Sequence, residues 1–455
     1  MTDISLIITL HNEDLIAIPT LKSALQSAKF AQKKGISVEI IASLDRPSQT
    51  TKTVIQNNKF IFSKVVTVDY GDLSQSRNHA IKIATGSYIA ILDADDLISE
   101  NWLFEAFQLA HHNIDVIIHP EANLYFGRDS YIYRHRPQHE MKTYLEMFDT
   151  NPWTALSFGK RSIFLKFPYE KNSINRGYGY EDWLWNCETL ASNINHIIAP
   201  DTVHFIRQKR KNSLVLKSFF SNCIIKKSKL SNIQPLYRDE RDIVLLTEEK
   251  INGIKARLLK LVKNKLDDVI EFDGLLSKLK LKFPMNISLG PPIIGIGEAF
   301  AKIMTLLRTS PDELVICDEI ISSELKKHEL KSTSTLLITE SIIDETIYKK
   351  YNNLLVVQFS NKLPQNFLER FITDFIEQYK PKKIINNGSI SGDMIYEKYS
   401  ELLHNTCLIE LNVMHRHLTN DRWPFIGYPH YASLLNQLTF EDQATCDIFN
   451  AFYHL

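Results

Sequence analysis

The sequence predicts an α/β protein, with an open, mostly parallel sheet at each end of the chain and a helical connector between them. Three observations carry this. The first hundred or so residues alternate apolar strand-like runs with helical stretches. The same alternation resumes near residue 290. Between them, residues 231 to about 285 are rich in Lys, Leu and Glu, as a helical connector would be. Strand–helix alternation implies a sheet covered by helices. The organisation read from this is a first domain over 1–213, a basic and helical connector over 214–288, and a second, Rossmann-like α/β domain over 289–455.

The elements follow in order. Ile4–Leu10 is an apolar run and opens the chain as a strand. A helical stretch covers Ala17 to Lys34. Val38–Leu44 is the second strand and ends at Asp45. A helix near Thr50 to Asn57 and a strand from Lys64 to Asp69 come next. Ser74 is placed to cap a helix from Gln75 to Ala84. Gly86 precedes the apolar strand Tyr88–Leu92, which runs directly into Asp93, Asp95 and Asp96. Ligands of such sheets bind at the carboxyl ends of the strands, and Asn12, Asp45 and the Asp93–Asp96 cluster all fall there. Crowded acids cost repulsion unless a cation joins them or they face water. The cluster is therefore either a polar turn, with Asp96 or Ser99 capping the next helix, or a divalent-metal site for a phosphorylated ligand.

Residues 104–205 are mixed. They contain a His/Arg-rich loop, Arg128 to His139, the segment Asn151-Pro152-Trp153, and the stretch NRGYGYEDWLWNCETLA. Arg207 to Leu230 is basic and holds no acid. It is either a solvated face or a contact for a diphosphate or for anionic lipid. In the last part a helix is expected over Glu298–Arg308. Strands are expected at Glu313–Cys317, Thr335–Thr339, Leu354–Phe359, Lys383–Asn386 and Cys407–Leu411, with a helix over Gln365–Tyr379. Asn386–Ser389 and His415–His417 lie at strand ends. No closing element is evident at Leu455, so the chain is expected to be part of a longer protein.

Composition excludes several classes. Of 455 residues 44% are hydrophobic and 23% charged, the balance of a folded globular protein. Lys plus Arg equals Asp plus Glu at 53 each, which gives no case for nucleic acid as a partner. Five widely spaced cysteines without a CxxC pair support neither a zinc site nor a disulfide framework. No apolar run approaches the roughly 20 residues of a membrane helix. The expectation is a cytoplasmic protein, with any membrane contact peripheral and made through 207–229. Its oligomeric state is not legible.

Four segments carry more. ISLIITLHNED, VEIIASLDRPSQTT, LSQSRNHAIKIATGSYIAILDADD and GYGYEDWLWNCETLA occur in that order. Together they resemble the inverting glycosyltransferases of family 2, which have the GT-A fold, over about residues 3–213. The resemblance implies a metal-dependent transfer from a nucleoside-diphosphate sugar, most simply a UDP-sugar, to a hydroxyl of a surface glycan or lipid-linked saccharide. Asp93-Ala94-Asp95 matches the family's Asp-x-Asp motif. This implies that Asp95 binds Mn²⁺ or Mg²⁺ on the donor and that Asp93 lies near the ribose. Leu10, His11 and Asn12 match the loop lining the nucleotide pocket, although His11 is equally well an exposed loop histidine. Asp45 matches the acid that contacts the base, without the second acid often beside it. Arg77 matches an arginine that helps bind the donor. Asp182 matches the general base, with Glu181 orienting it or binding acceptor. Trp183 and Trp185 stack on sugars or anchor the helix. His204 matches a metal-ligand position or is a structural histidine. The processive members' Gln-x-x-Arg-Trp motif is missing. Residues 290–455 weakly resemble the first half of a GT-B glycosyltransferase. Two rival readings are a sugar nucleotidyltransferase, whose Gly-rich basic loop LHNEDLIAIP lacks, and a non-catalytic glycan-binding protein on a transferase fold.

Overall fold

The computed structural model describes residues 2–138, 147, 150–209, 213–232, 248–279, 285–289, 311–317, 335–339, 354–358, 365–405, 407–418 and 423–453. The helix expected over Glu298–Arg308 lies outside the described residues. The chain forms two compact units. One comprises Met1–Asn172, Tyr180–Lys217 and Leu236–Ile293. The other comprises Ser173–Gly179, Ser218–Pro235 and Ile294–Leu455.

The first unit is built on one mixed sheet. Its strands are β1 (Ile4–Leu10), β2 (Val38–Asp45), β3 (Lys64–Val68), β4 (Tyr88–Asp93), β5 (Leu97–Ile98), β6 (Val116–Gly127), β7 (Tyr131–Arg134), β8 (Ser157–Lys160), β9 (Asn195–Gln208) and β10 (Asn286–Ser288). Their order is β10-β7-β6-β8-β4-β1-β2-β3, with β9 pairing β5 and β6. The first four strands are mutually parallel, as the sequence alternation predicts. β8 enters antiparallel between β4 and β6, which makes the sheet mixed.

β1 is buried along its whole length. Ile4, Leu6, Ile8 and Leu10 join the core on one face and Ile7 the core on the other. This two-sided burial explains the unbroken apolar run. Gly86 permits close approach to β1, because a Cβ there would lie 2.5 Å from the Ser5 amide nitrogen. The register pairs Thr9 with Asp93 and Leu10 with Leu44, so β1, β2 and β4 deliver His11, Asp45 and Asp93 to one edge. The helix Glu248–Val269, read from sequence as connector, lays Leu258, Leu261, Val262 and Leu266 against Leu124, Phe126 and Phe205. It thereby completes a third core cluster of this unit.

Two caps differ from expectation. The helix before β4 is Leu73–Ile83, and Asp72 rather than Ser74 caps it, accepting from the Gln75 amide at 3.0 Å. The helix after the acidic cluster is Trp102–His112 and has no side-chain cap. Ser99 instead receives the Val203 amide at 3.1 Å. Asp96 is likewise not a cap.

The second unit holds β11 (Glu313–Cys317), β12 (Thr335–Thr339), β13 (Leu354–Gln358), β14 (Lys383–Asn386), β15 (Leu408–Val413) and β16 (Gln437–Phe440). All are parallel, in the order β13-β12-β11-β14-β15-β16. The helix Gln365–Tyr379 falls where the sequence places it, and it buries Ile372, Phe375 and Ile376. β16 and the helix Gln443–Tyr453 were not anticipated. Phe440 of β16 packs on Phe449 of that helix at 5.4 Å, within an aromatic cluster that includes Trp423, Phe425 and Tyr453. Among the described residues no helix is long and apolar enough to cross a membrane.

Candidate active site

The site is assembled around one buried guanidinium. Arg77 is fully buried on the helix Leu73–Ile83. Its Nη2 donates to Asp93 Oδ1 at 2.5 Å and its Nη1 to Glu181 Oε1 at 2.9 Å. The Tyr169 ring covers it at 5.3 Å. Burial disfavours the guanidinium charge, but the two carboxylates outweigh burial and raise its pKa. Its two Nη atoms each meet a carboxylate, so it fastens the end of β4 to the helix that carries Glu181 and Asp182.

Glu181 opens the helix Glu181–Ala191, where acids in the first turn suit the helix dipole. Its second oxygen receives Asn172 Nδ2 at 2.7 Å, so both oxygens are engaged in holding the segment in place. Tyr180 precedes it at φ 61°, a left-handed conformation that costs a non-glycine residue roughly 1–3 kcal/mol. That turn brings both acids into the first helical turn. Asp182 is half-buried and accepts from Asn151 Nδ2 at 3.2 Å. Burial, then the Glu181 charge, pushes its pKa up to about 7. Trp183 and Trp185 are buried, and their indole nitrogens donate to the carbonyls of Met147 and Phe167. They are core anchors, not sugar platforms.

The Asp-x-Asp strand end lies beside the end of β9. Asp95 Oδ2 is 2.8 Å from Lys209 Nζ, and the carbonyl of Ala94 accepts from Thr20 Oγ1 at 2.9 Å. Burial, then Asp96, pushes the Asp95 pKa up to about 7, while Lys209 opposes the rise. Asp96 accepts from the Arg207 amide at 2.9 Å. Arg207 also donates through Nε to the Asp95 carbonyl at 3.1 Å and pairs with Asp273. His204 is buried. Its Nε2 lies 3.1 Å from Asp96 Oδ2, within ion-pair range but not in hydrogen-bond geometry, and its Nδ1 is 3.4 Å from Thr154 Oγ1. It lies beside Asp96 without a hydrogen bond to it. Among the described residues no group of three or more His, Cys, Asp or Glu is arranged to hold a metal. Arg210 and Lys211 of the basic cluster lie outside the described residues.

At the carboxyl end of β1, Leu10 is buried while His11 and Asn12 are exposed. His11 Nδ1 lies 2.5 Å from the Asp45 carbonyl, and Asn12 Nδ2 lies 3.0 Å from His11 Nε2. Asp45 is buried, and its carboxylate accepts the amides of Tyr70, Gly71 and Asp72 at 2.8–2.9 Å. It shapes the loop before the Arg77 helix, a role the sequence reading did not include. Asn151 and Asn172 were missed as parts of this site, whereas Lys209 belongs to the basic run read from sequence as a candidate diphosphate contact.

Two comparisons bear on this geometry. The family model described as Glycosyl transferase family 2 matches residues 5–172. The N-terminal domain belongs to glycosyltransferase family 2. As a family 2 glycosyltransferase it transfers a sugar from a nucleotide-sugar donor. Among solved structures, S. aureus TarS residues 1–349 with UDP-GlcNAc is similar at 14% identity and a TM-score of 0.39, over 67% of this chain and 88% of that one. The mannosyltransferase PcManGT from Pyrobaculum calidifontis, with GDP-Man and Mn²⁺, is similar at 14% identity and a TM-score of 0.36, over 61% and 78%. No curated protein matches the chain.

Proposed function

We propose that the chain catalyses an inverting, metal-assisted transfer from a UDP-linked sugar to a hydroxyl of a surface glycan or lipid-linked saccharide. The observation that supports this best is the Arg77 bridge, which holds the Asp93 strand end and the Asp182 helix together. Asp182 takes the proton of the acceptor hydroxyl as its oxygen attacks the anomeric carbon. A pKa near the working pH suits a general base. The new bond forms from the acceptor oxygen to that carbon while the bond to the diphosphate breaks on the opposite face. Asp95 is the residue to hold Mn²⁺ or Mg²⁺, because a hard cation takes carboxylate oxygens and relieves the acid crowding beside Asp96. When bound, the cation stabilises charge on the leaving diphosphate. Asp95 would supply one carboxylate to the cation. Asp93, His11 and Asn12 line the nucleotide side, with Asp45 holding the loop around them. His204, beside Asp96, is the second residue that could hold the cation.

The test is a thermal-shift screen with UDP, GDP, CDP and UDP-sugars, with and without Mn²⁺, on wild type and Asp95→Ala. A ligand at a hundred times its dissociation constant stabilises by about 2.7 kcal/mol. A shift with UDP that needs Mn²⁺ and disappears in Asp95→Ala is expected. No shift with any nucleotide would overturn the reading.

The basic run is read as a peripheral contact with anionic lipid. In the second unit Phe219 and Phe220 are exposed near Lys226, Lys227 and Lys229. Co-sedimentation with anionic but not neutral vesicles, weakened in a Phe219→Ala/Phe220→Ala variant, tests it. The second unit is read as Rossmann-like and as the first half of a GT-B module. Its strand order, with β11 beside both β12 and β14, reverses at one point as doubly wound sheets do.

A further inference from the structure

Asn151 stands on a segment fixed by its neighbours. Two residues on, Trp153 is fully buried, stacked on His196 at 4.2 Å and on His119 at 5.0 Å. Its indole donates to the Arg136 carbonyl at 3.0 Å. Burial holds the His119 and His196 pKa values below the usual imidazole range, so this stack is neutral near pH 7. The Asn151 amide is oriented at both ends. Its Oδ1 accepts the Trp153 backbone amide at 3.4 Å and Asn186 Nδ2 at 3.0 Å. Because a backbone N–H only donates, Oδ1 must face that side, and the NH₂ must face Asp182. Asn186 lies one turn beyond Asp182 on the same helix. Asp182, Asn151 and Asn186 therefore close a ring that includes the helix itself.

We propose that Asn151 is a positioning residue for Asp182, presenting a fixed amide donor that holds the carboxylate in place and favours its ionised form. This rests on the reading of Asp182 as general base. The other charged or titratable groups around Asp182 are Glu181 beside it, Arg77 from the helix Leu73–Ile83, Asp93 from β4 and Tyr169. Glu181 and Asp93 disfavour a second negative charge, and Arg77 favours it. Asn151 adds a neutral donor that does not itself titrate. Removing a donor from a carboxylate raises its pKa.

The experiment uses the full chain labelled with ¹³C at aspartate carboxyls. The Asp182 resonance is assigned by its loss in Asp182→Asn. Asn151→Ala is expected to raise the Asp182 midpoint by roughly one pH unit, a tenfold change in ionisation. Asn186→Ala, which leaves Asn151 in place but lets its amide turn, is expected to raise it less. The acid limb of kcat/KM for sugar transfer should move with the midpoint, while the UDP thermal shift stays as in wild type. An unchanged midpoint in both folded variants overturns the inference, as does a raised midpoint with an unmoved pH profile. If Asp182→Asn keeps wild-type transfer, the general-base reading itself falls, and this role for Asn151 falls with it.

Discussion

In the first unit, buried Arg77 sits between Asp93 and Glu181 and pairs with both acids. In the second unit, buried Asp393 has no such cation. It accepts from Tyr431 Oη at 2.6 Å and from the Gly427 amide at 2.7 Å, and burial pushes its pKa up to about 6. Both arrangements satisfy buried oxygens, yet they differ in kind. The first ties two acids from distant parts of the chain to one cation at the end of β4. The second binds an acid with neutral donors and eases its protonation, which serves the packing of the helix Ile390–His404 against the segment around Gly427. The comparison teaches that buried acids as such do not mark a site. A guanidinium bridging acids from distant parts of the chain, at the carboxyl ends of parallel strands, is the stronger sign.

The largest effect should come from breaking the bridge. Arg77→Ala leaves buried Glu181 and half-buried Asp93 without their cation, and removing one partner of a buried pair costs about 3–5 kcal/mol. Urea denaturation should show that loss, and transfer should fall with it. Asp182→Asn should lower kcat/KM by about 10²–10⁴-fold, the usual worth of a general base, while UDP binding and stability stay near wild type. A variant that transfers normally would remove the functional half of the comparison.

The pH profile sharpens it. With the Asp182 pKa at about 7, kcat/KM should fall as pH drops below about 7, because the protonated acid cannot accept a proton, and should level off above. The smallest effect belongs to the second unit. The Asp393 pKa is raised from 3.8 to about 6, so the folded state holds a proton there that the unfolded chain has released. Stability of that unit should therefore decline as pH rises from about 4 to about 6 and then stay flat. Hydrogen exchange of its amides in the full chain should report the decline, and Asp393→Asn should abolish it.

Much of the fold was legible in sequence. β1 to β4 read as strands, β5, β6, β7, β9 and β10 did not, and β11, β12 and β14 begin and end where the pattern of the second domain places them. β8 was not legible, because Ser157–Lys160 is short and carries no alternation. The site was legible as a set of motifs: Asp93, Asp95, Glu181 and Asp182 all stand out. Their partners did not. Asn151 and Asn172 are polar residues in irregular segments, and no local pattern sets them apart.

What the sequence determined by itself was which acids reach the strand ends and that the N-terminal domain has the segments of its family, because periodicity and motif spacing are local properties. The tertiary structure alone decided what those residues touch. Arg77 is separated from Glu181 by 104 positions and Asp182 from Asn151 by 31. Only packing decides whether such groups meet, and meeting in a buried place turns an ordinary arginine into a brace and an ordinary carboxylate into one that titrates near neutrality.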